Sequence, residues 1–218
     1  DAMRILPRGY NDKPTEASRP MSASANGFVP GSGAGALLLE SLESAQKRGA
    51  RIYAEVLGGE INSGGQLGEG SMTAPNSLAV QRCITNAIKN AGIEAKDIDA
   101  VNGHLTATSK DSLEVANWSA ALGRKNVDFP YINSFKGMIG HCLAAAGSIE
   151  CVGTVLQFKE GVIFGNINCE DVHAEITDII SETRIPRKTI PYRPKVIAKA
   201  SFGFGDVNAC VIFKEYSG

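Results

Sequence analysis

The chain has 218 residues, of which 43% are hydrophobic and 21% charged, and its formal net charge is -1. That balance leaves no basic footprint for nucleic acid and no polybasic patch for a membrane surface, so neither partner is expected. No stretch reaches the roughly 18 consecutive apolar residues of a membrane span, and the length suits one large domain or two small ones.

Taken in chain order, strand and helix signals alternate. Asp1 to Gly27 is rich in turn residues and reads as a surface excursion or the tail of something upstream. Gly35 to Leu39 reads as a short buried strand, Ser41 to Arg48 as a helix closed by Gly49, and Arg51 to Leu57 as another strand. The glycine-rich stretch Gly58 to Gly70 reads as a loop and the best domain boundary. From Pro75 to Ala91, apolar residues at 80, 84, 87, 88 and 91 form a helical stripe that ends at Gly92. Ile98 to Val101 reads as a strand leading into His104, and Asp111 to Leu122 as a helix followed by Gly123. Tyr131 to Ser134 reads as a strand, and His141 to Lys159 as one long helix stopped by Gly161, apolar on nearly every side and therefore buried. Lys195 to Ala200 and Ala209 to Phe213 close the chain as an antiparallel pair. This alternation predicts a layered α/β fold.

Only three histidines occur, and two of them, His104 and His141, fall at the ends of predicted elements. The reading of His141 as the first residue of a long helix places its ring in the positive potential of the first turn, which opposes a second proton. A neutral imidazole can donate a hydrogen bond to a carbonyl and stabilise an enolate. Taken alone, each could instead be a plain capping or solvent-facing histidine. Lys136, in a glycine-bounded loop, is either a solvated surface lysine or an anchor for the site, with Glu114 as its expected partner. Thr106 and Thr108 are turn hydroxyls or donors to a polar ligand arm. In Phe202-Gly-Phe204-Gly, glycines flanking an aromatic let a backbone N–H and a ring swing into a cleft, or make a tight packed connection. The Gly31-Ser-Gly33-Ala-Gly35 run precedes a strand-like segment, the wrong order for a dinucleotide loop, and predicts close backbone packing instead. Five cysteines without a C-x-x-C spacing argue against a disulfide framework or a zinc site and for reduced, mostly buried thiols. No secretory apolar core occupies Asp1 to Tyr10, so a cytoplasmic protein is expected.

His104-x-Thr-x-Thr, Lys136-x-x-x-Gly-His141 and Gly203-Phe204-Gly205, in this order, resemble the C-terminal half of a β-ketoacyl-acyl-carrier-protein synthase of the type II elongating kind, in the thiolase superfamily. The resemblance extends through Ser18-Arg-Pro, Gly27-Phe-Val, Ala45-x-x-Arg-Gly-Ala, Met72-Thr-Ala-Pro75 and Ala144-Ala-Ala-Gly147-Ser-Ile-Glu150, and covers nearly the whole chain. It implies a thiolase-like layered α-β-α-β-α fold, with residues 1–57 closing the N-terminal half and 58–218 forming the C-terminal half. It also implies a decarboxylative Claisen condensation between an acyl thioester and malonyl carried on acyl carrier protein, with no cofactor. His104 and His141 would be the catalytic histidines and Lys136 the lysine supporting their region, with Glu114 beside it. Phe204 would supply half of the oxyanion hole and the gate to the acyl pocket. Phe202, Thr106 and Thr108 would meet the substrate, the threonines through the phosphopantetheine arm.

The nucleophilic cysteine of that family lies in the N-terminal half, and none of Cys83, Cys142, Cys151, Cys169 or Cys210 stands in such a motif. The chain therefore resembles about half a synthase and is expected to be inactive alone. Its expected partners are acyl carrier protein, the missing half, and a second copy in a homodimer of the full enzyme. Leu105 in place of a glycine, one residue fewer between His104 and Glu114, and Asp206 as the fourth residue of Gly-Phe-Gly-Gly point to a retuned substrate, such as that of a polyene or other specialised synthase. The alternatives are a non-catalytic partner of the chain-length-factor kind and a binding or dimerisation module of the same fold. Retention of both histidines and the lysine argues against the first.

Overall fold

The computed structural model describes residues 5–218. Strands β1 (Ala54–Ser63), β2 (Ala100–Asn102), β3 (Tyr131–Asn133), β6 (Val196–Gly203) and β7 (Val207–Glu215) form one mixed sheet in the order β1-β7-β6-β2-β3. The β1–β7 and β7–β6 pairs are antiparallel, while β2 runs parallel to both β6 and β3. A small antiparallel pair, β4 (Val162–Ile163) and β5 (Ile190–Pro191), lies apart. Helices α2 (Ser77–Asn90) and α3 (Asp111–Leu122) cover one face and α5 (Ala146–Glu160) the other. The short helices α1 (Leu42–Lys47), α4 (Lys136–Ile139) and α6 (Ala174–Thr177) complete the set. This is the layered α/β arrangement expected from the alternation of signals.

The pleat of β6 decides what each layer receives. Val196, Ala198, Ala200 and Phe202 join Val80, Ile84, Val115 and Trp118 in the core beneath α2 and α3. Ile197 points the other way, with Ala100, Phe213 and Phe158 of α5. Lys199 and Ser201 share that second face by the same alternation.

Local chemistry explains the helix ends. Ser41 accepts from Ser44 N–H and Asn76 accepts from Ala79 N–H, each satisfying an orphan amide of the first turn. Gly123 and Gly161 close α3 and α5 in the left-handed region, at φ 65° in both cases.

Three expectations are corrected. Residues 35–39 form no strand: the segment is in no ladder with a described strand, and Leu38 and Leu39 are 85% and 70% exposed. Apolar composition alone suggests a buried strand, but a strand exists only through a ladder partner and this segment is neither paired nor buried. The stretch from Gly58 is not loop throughout, because β1 continues through Gly58 and Gly59 to Ser63 with a bulge between Val56 and Gly58. A Cβ on Gly59 would sit 2.7 Å from Cys210 O, so glycine there serves close strand packing. Finally, His141 does not open the long helix. A 3-10 turn at Leu143–Ala145 intervenes, and α5 starts at Ala146. The N-terminal excursion also contributes to the core, since Met21 is fully buried; Asp1 to Arg4 lie outside the described residues.

The Gly31–Gly35 run packs as expected. A Cβ on Gly31 would collide with Ile139 O, and one on Gly35 with Ile149 N.

Truncating Ile84, which is fully buried between α2 and the sheet, is expected to cost about 2–5 kcal/mol in denaturant unfolding. Leu78→Ala, in the first turn of the same helix and 71% exposed, should change stability by no more than about 0.5 kcal/mol.

Candidate active site

A cleft of about 530 Å³ opens where the ends of β2 and β6 meet the loop before α5. His104, His141, Thr106, Thr108, Glu114, Phe202 and Phe204 all line it, so the chain brings seven of the eight expected residues to one site. The rings of His104 and His141 stand 5.2 Å apart, centroid to centroid, at 82° to each other.

His104 follows β2 directly, and its loop is tied down by carboxylates of α3. Glu114 accepts from the backbone N–H of His104 at 2.6 Å and of Leu105 at 2.7 Å. Gly103 makes room for it, because a Cβ there would lie 2.8 Å from Glu114 Oε1. Asp111 accepts from the N–H groups of Thr106 and Ala107 at 2.8 and 3.0 Å, and from Met21 N–H at 2.8 Å. These bonds hold Ala107 at φ 63° and place the Thr106 and Thr108 hydroxyls 3.0 Å apart. Burial pushes the Glu114 carboxyl up to about 7, partly offset by the amide of Leu105.

His141 is positioned by the segment that carries Phe28. Its N–H donates to Val29 O at 2.7 Å, its C=O accepts from Gly31 N–H at 2.9 Å, and the Phe28 ring packs edge-on at 4.9 Å. The backbone N–H of Leu143 donates to His141 Nδ1 at 3.1 Å. An Nδ1 that accepts leaves the ring proton on Nε2, so the imidazole is neutral and presents a donor. Burial lowers the His141 pKa to about 4, with the positive charge of Lys136 the next cause. The expected neutrality therefore holds for a different reason than a helix dipole, since the helix begins five residues later. His104 is pushed well below its ordinary range by burial, then by Lys136 and Lys199.

Lys136 is not a surface lysine and does not pair with Glu114. It is 1% exposed, and its Nζ contacts Glu150 Oε1 behind the histidines. Glu114 is occupied by backbone amides, which fixes it to the His104 loop instead. A second ammonium, Lys199 Nζ, lies 2.8 Å from Glu150 Oε2. Burial alone would raise the Glu150 pKa, but Lys199 and Lys136 outweigh it and hold the carboxyl below its ordinary range. Sequence reasoning missed Asp111, Lys199 and the role of Glu150. The signal for the last two is a charged residue inside an otherwise apolar strand or helix.

The two unusual positions act away from the cleft. Leu105 is fully buried in the core under α2 and α3. Asp206, 1% exposed, accepts from Asn76 N–H at 2.8 Å and Gln66 N–H at 3.0 Å and so latches the 64–76 loop. Neither presents a side chain to the cleft, so any retuning of the substrate by these positions would act through the loops they hold. None of the five cysteines lines it either. Burial raises the thiol pKa values of Cys83 and Cys169 to about 11 and about 12, and Cys210 higher still, which keeps them as thiols.

A mixed sheet between helical layers is the architecture of thiolase-like ketosynthases. Known structures agree. A type II polyketide ketosynthase solved with its acyl-carrier protein superposes with a TM-score of 0.86 at 29% identity, over 99% of this chain and 52% of that one. The ishigamide ketosynthase/chain length factor gives 0.86 at 30%, over 99% and 49%.

Residues 53–170 match the family described as beta-ketoacyl synthase, C-terminal domain, and the chain belongs to that family. It is 39% identical over 218 residues to 3-oxoacyl-[acyl-carrier-protein] synthase II, chloroplastic, of Arabidopsis thaliana, covering 99% of this chain and 38% of the relative. It is 37% identical to 3-oxoacyl-[acyl-carrier-protein] synthase 2 of Rhizobium meliloti (strain 1021), covering 100% and 50%. With 3-oxoacyl-[acyl-carrier-protein] synthase 1 of Escherichia coli (strain K12) it shares 35% identity, over 99% and 50%. The chain thus spans between about two fifths and one half of these relatives.

An NMR titration should find the His141 imidazole protonating near pH 4 rather than near 6.5. Within that window the unfolded chain binds the proton and the folded chain does not, so the His141 contribution to stability should fall as pH drops from about 6.5 towards 4, against a contribution of opposite sign from Glu114 between about 4.5 and 7 that Glu114→Gln removes.

Proposed function

We propose that this chain is the C-terminal part of a 3-oxoacyl-[acyl-carrier-protein] synthase that performs a decarboxylative Claisen condensation. The observation that carries the reading is the pair of neutral imidazoles 5.2 Å apart in one cleft. The substrates are an acyl thioester and a malonyl thioester on acyl carrier protein, in fatty-acid or polyketide and polyene synthesis. No cofactor takes part, and the setting is cytoplasmic.

On this reading Thr106 and Thr108 hold the phosphopantetheine arm, while His104 and His141 donate to the malonyl thioester oxygen. The bond to the malonyl carboxylate breaks, CO₂ leaves, and its electron pair passes into an enolate held by the two imidazoles. The enolate carbon then attacks an acyl-cysteine thioester, forming a C–C bond and releasing thiolate. Phe204 contributes its N–H to the oxyanion formed in that attack and its ring to the gate, with Phe202 beside it. Lys136, with Glu150, supports the potential behind the histidines, and Glu114 fixes the His104 loop.

The nucleophilic cysteine comes from a polypeptide half not contained in this chain, and the chain alone does not condense. Residues 1–57 close that first half and 58–218 form the second, in a protein that works as a homodimer. The exposed leucines 38 and 39 and the unpaired backbone of residues 35–39 support a missing layer on that side.

Decarboxylation of malonyl-acyl carrier protein, measured on this chain joined to its companion half, tests the reading. His104→Ala and His141→Ala should each lower the rate roughly 10²–10³-fold, the usual effect of removing one oxyanion donor. Undiminished decarboxylation in both variants removes the basis for the assignment.

A further inference from the structure

Behind the two histidines lies a charge cluster with one cation more than its anion requires. Lys136 of α4, Lys199 of β6 and Glu150 of α5 are 1%, 2% and 1% exposed. A single ammonium would neutralise Glu150. Burying a second one carries a desolvation cost of several kcal/mol, which pairing returns only in part. The cluster therefore holds an excess positive charge in a region closed to water.

The fold leads Lys199 there by construction. In β6 its neighbours Ala198 and Ala200 point into the core beneath α2, so the pleat turns Lys199 towards α5 and Glu150. In the parallel register Lys199 pairs with Asn102 of β2, two residues before His104. Its Nζ also donates to Ala200 O and, at 3.1 Å, to Ser201 Oγ, and Ser201 lines the cleft. Lys199 thus joins the buried anion of α5 to the wall of the cleft at the root of the Phe202–Phe204 turn.

We propose that Lys199 is a positioning residue: acting through Glu150 and Ser201, it makes the buried cluster net cationic and sets the potential in which His104 and His141 donate to the substrate oxygen. This rests on the reaction proposed above. The excess charge opposes protonation of either imidazole, which would add a like charge nearby, and favours the negative charge that builds on the thioester oxygen. The groups facing the imidazoles act in both directions. Glu150 of α5 favours the imidazolium, as does Asp111 of α3 where it is ionised, Glu114 of α3 is held near 7 and uncharged where His141 titrates, and Lys136 and Lys199 disfavour the imidazolium. Removing Lys199 leaves Lys136 and Glu150 as a neutral pair. The lowered pKa values of both histidines include Lys199 among their causes.

The test is an NMR titration of both histidines in the full chain, which needs no assumption about the reaction. Lys199→Met and the polar Lys199→Gln should each raise the His141 midpoint from about 4 by roughly half to one unit, a three- to tenfold gain in proton affinity. Lys199→Arg should leave it in place. Glu150→Gln combined with Lys199→Met removes one charge of each sign and should also leave it near the native value, as the charge count demands and a packing role does not. The same charge-removing variants, joined to the companion half, should shift the acid limb of the decarboxylation profile upward in step. Folded Lys199→Met and Lys199→Gln proteins with unmoved histidine midpoints overturn the proposal. Unaltered decarboxylation in the histidine variants would instead overturn the reaction while leaving this electrostatic result intact.

Discussion

The structure depends most on a buried carboxylate that two ammonium groups make tolerable. Glu150 is 1% exposed, and an anion in such a place is stable only when paired and hydrogen-bonded. Lys136 and Lys199 meet that need from α4 and β6, so one electrostatic requirement fixes the relative positions of three elements. The loop from Lys136 to His141 and the strand leading to Phe202 are thereby anchored at a common point behind the cleft.

A second set of carboxylates does the same for the other histidine. Glu114 and Asp111 accept five short backbone N–H bonds, from His104, Leu105, Thr106, Ala107 and Met21. Charge-assisted bonds of this kind are about twice as strong as neutral ones, and they hold the loop in a left-handed turn at Ala107 that alanine would otherwise avoid. The floor of the cleft is therefore built from backbone gripped by acids, while its walls are aromatic and apolar: Phe28, Phe202 and Phe204. Burial in that setting keeps both imidazoles neutral. A donor that is neutral at rest can hold a developing oxyanion without first losing a proton, which is the chemistry a thioester enolate demands.

Much of the frame could be read from local pattern. The helix over Asp111–Leu122 with its glycine stop agrees residue for residue, and the antiparallel pair closing the chain was marked by two apolar runs and a short turn. Residues 35–39 were misread because a strand needs a neighbour that local pattern does not supply. The long helix was begun too early because glycine and small residues before Ala146 left the 3-10 turn invisible to periodicity. Spaced motifs place Lys136 in the site but do not choose its acid. Glu114 and Glu150 are both acids in flanking helices, and only their orientation distinguishes them.

The sequence by itself determined the layered α/β class, the order of most elements, and a part of the cleft lining that includes both histidines and both threonines, because each rests on periodicity, glycine placement or spaced motifs. Tertiary structure alone decided that the histidines stand ring to ring, that burial rather than a helix end keeps them uncharged, and that Lys199 belongs behind them. It also turned Leu105 and Asp206 away from the cleft. The reason is physical: dielectric, pairing and facing direction are set by what packs across the chain, and neighbouring residues in sequence carry no record of it.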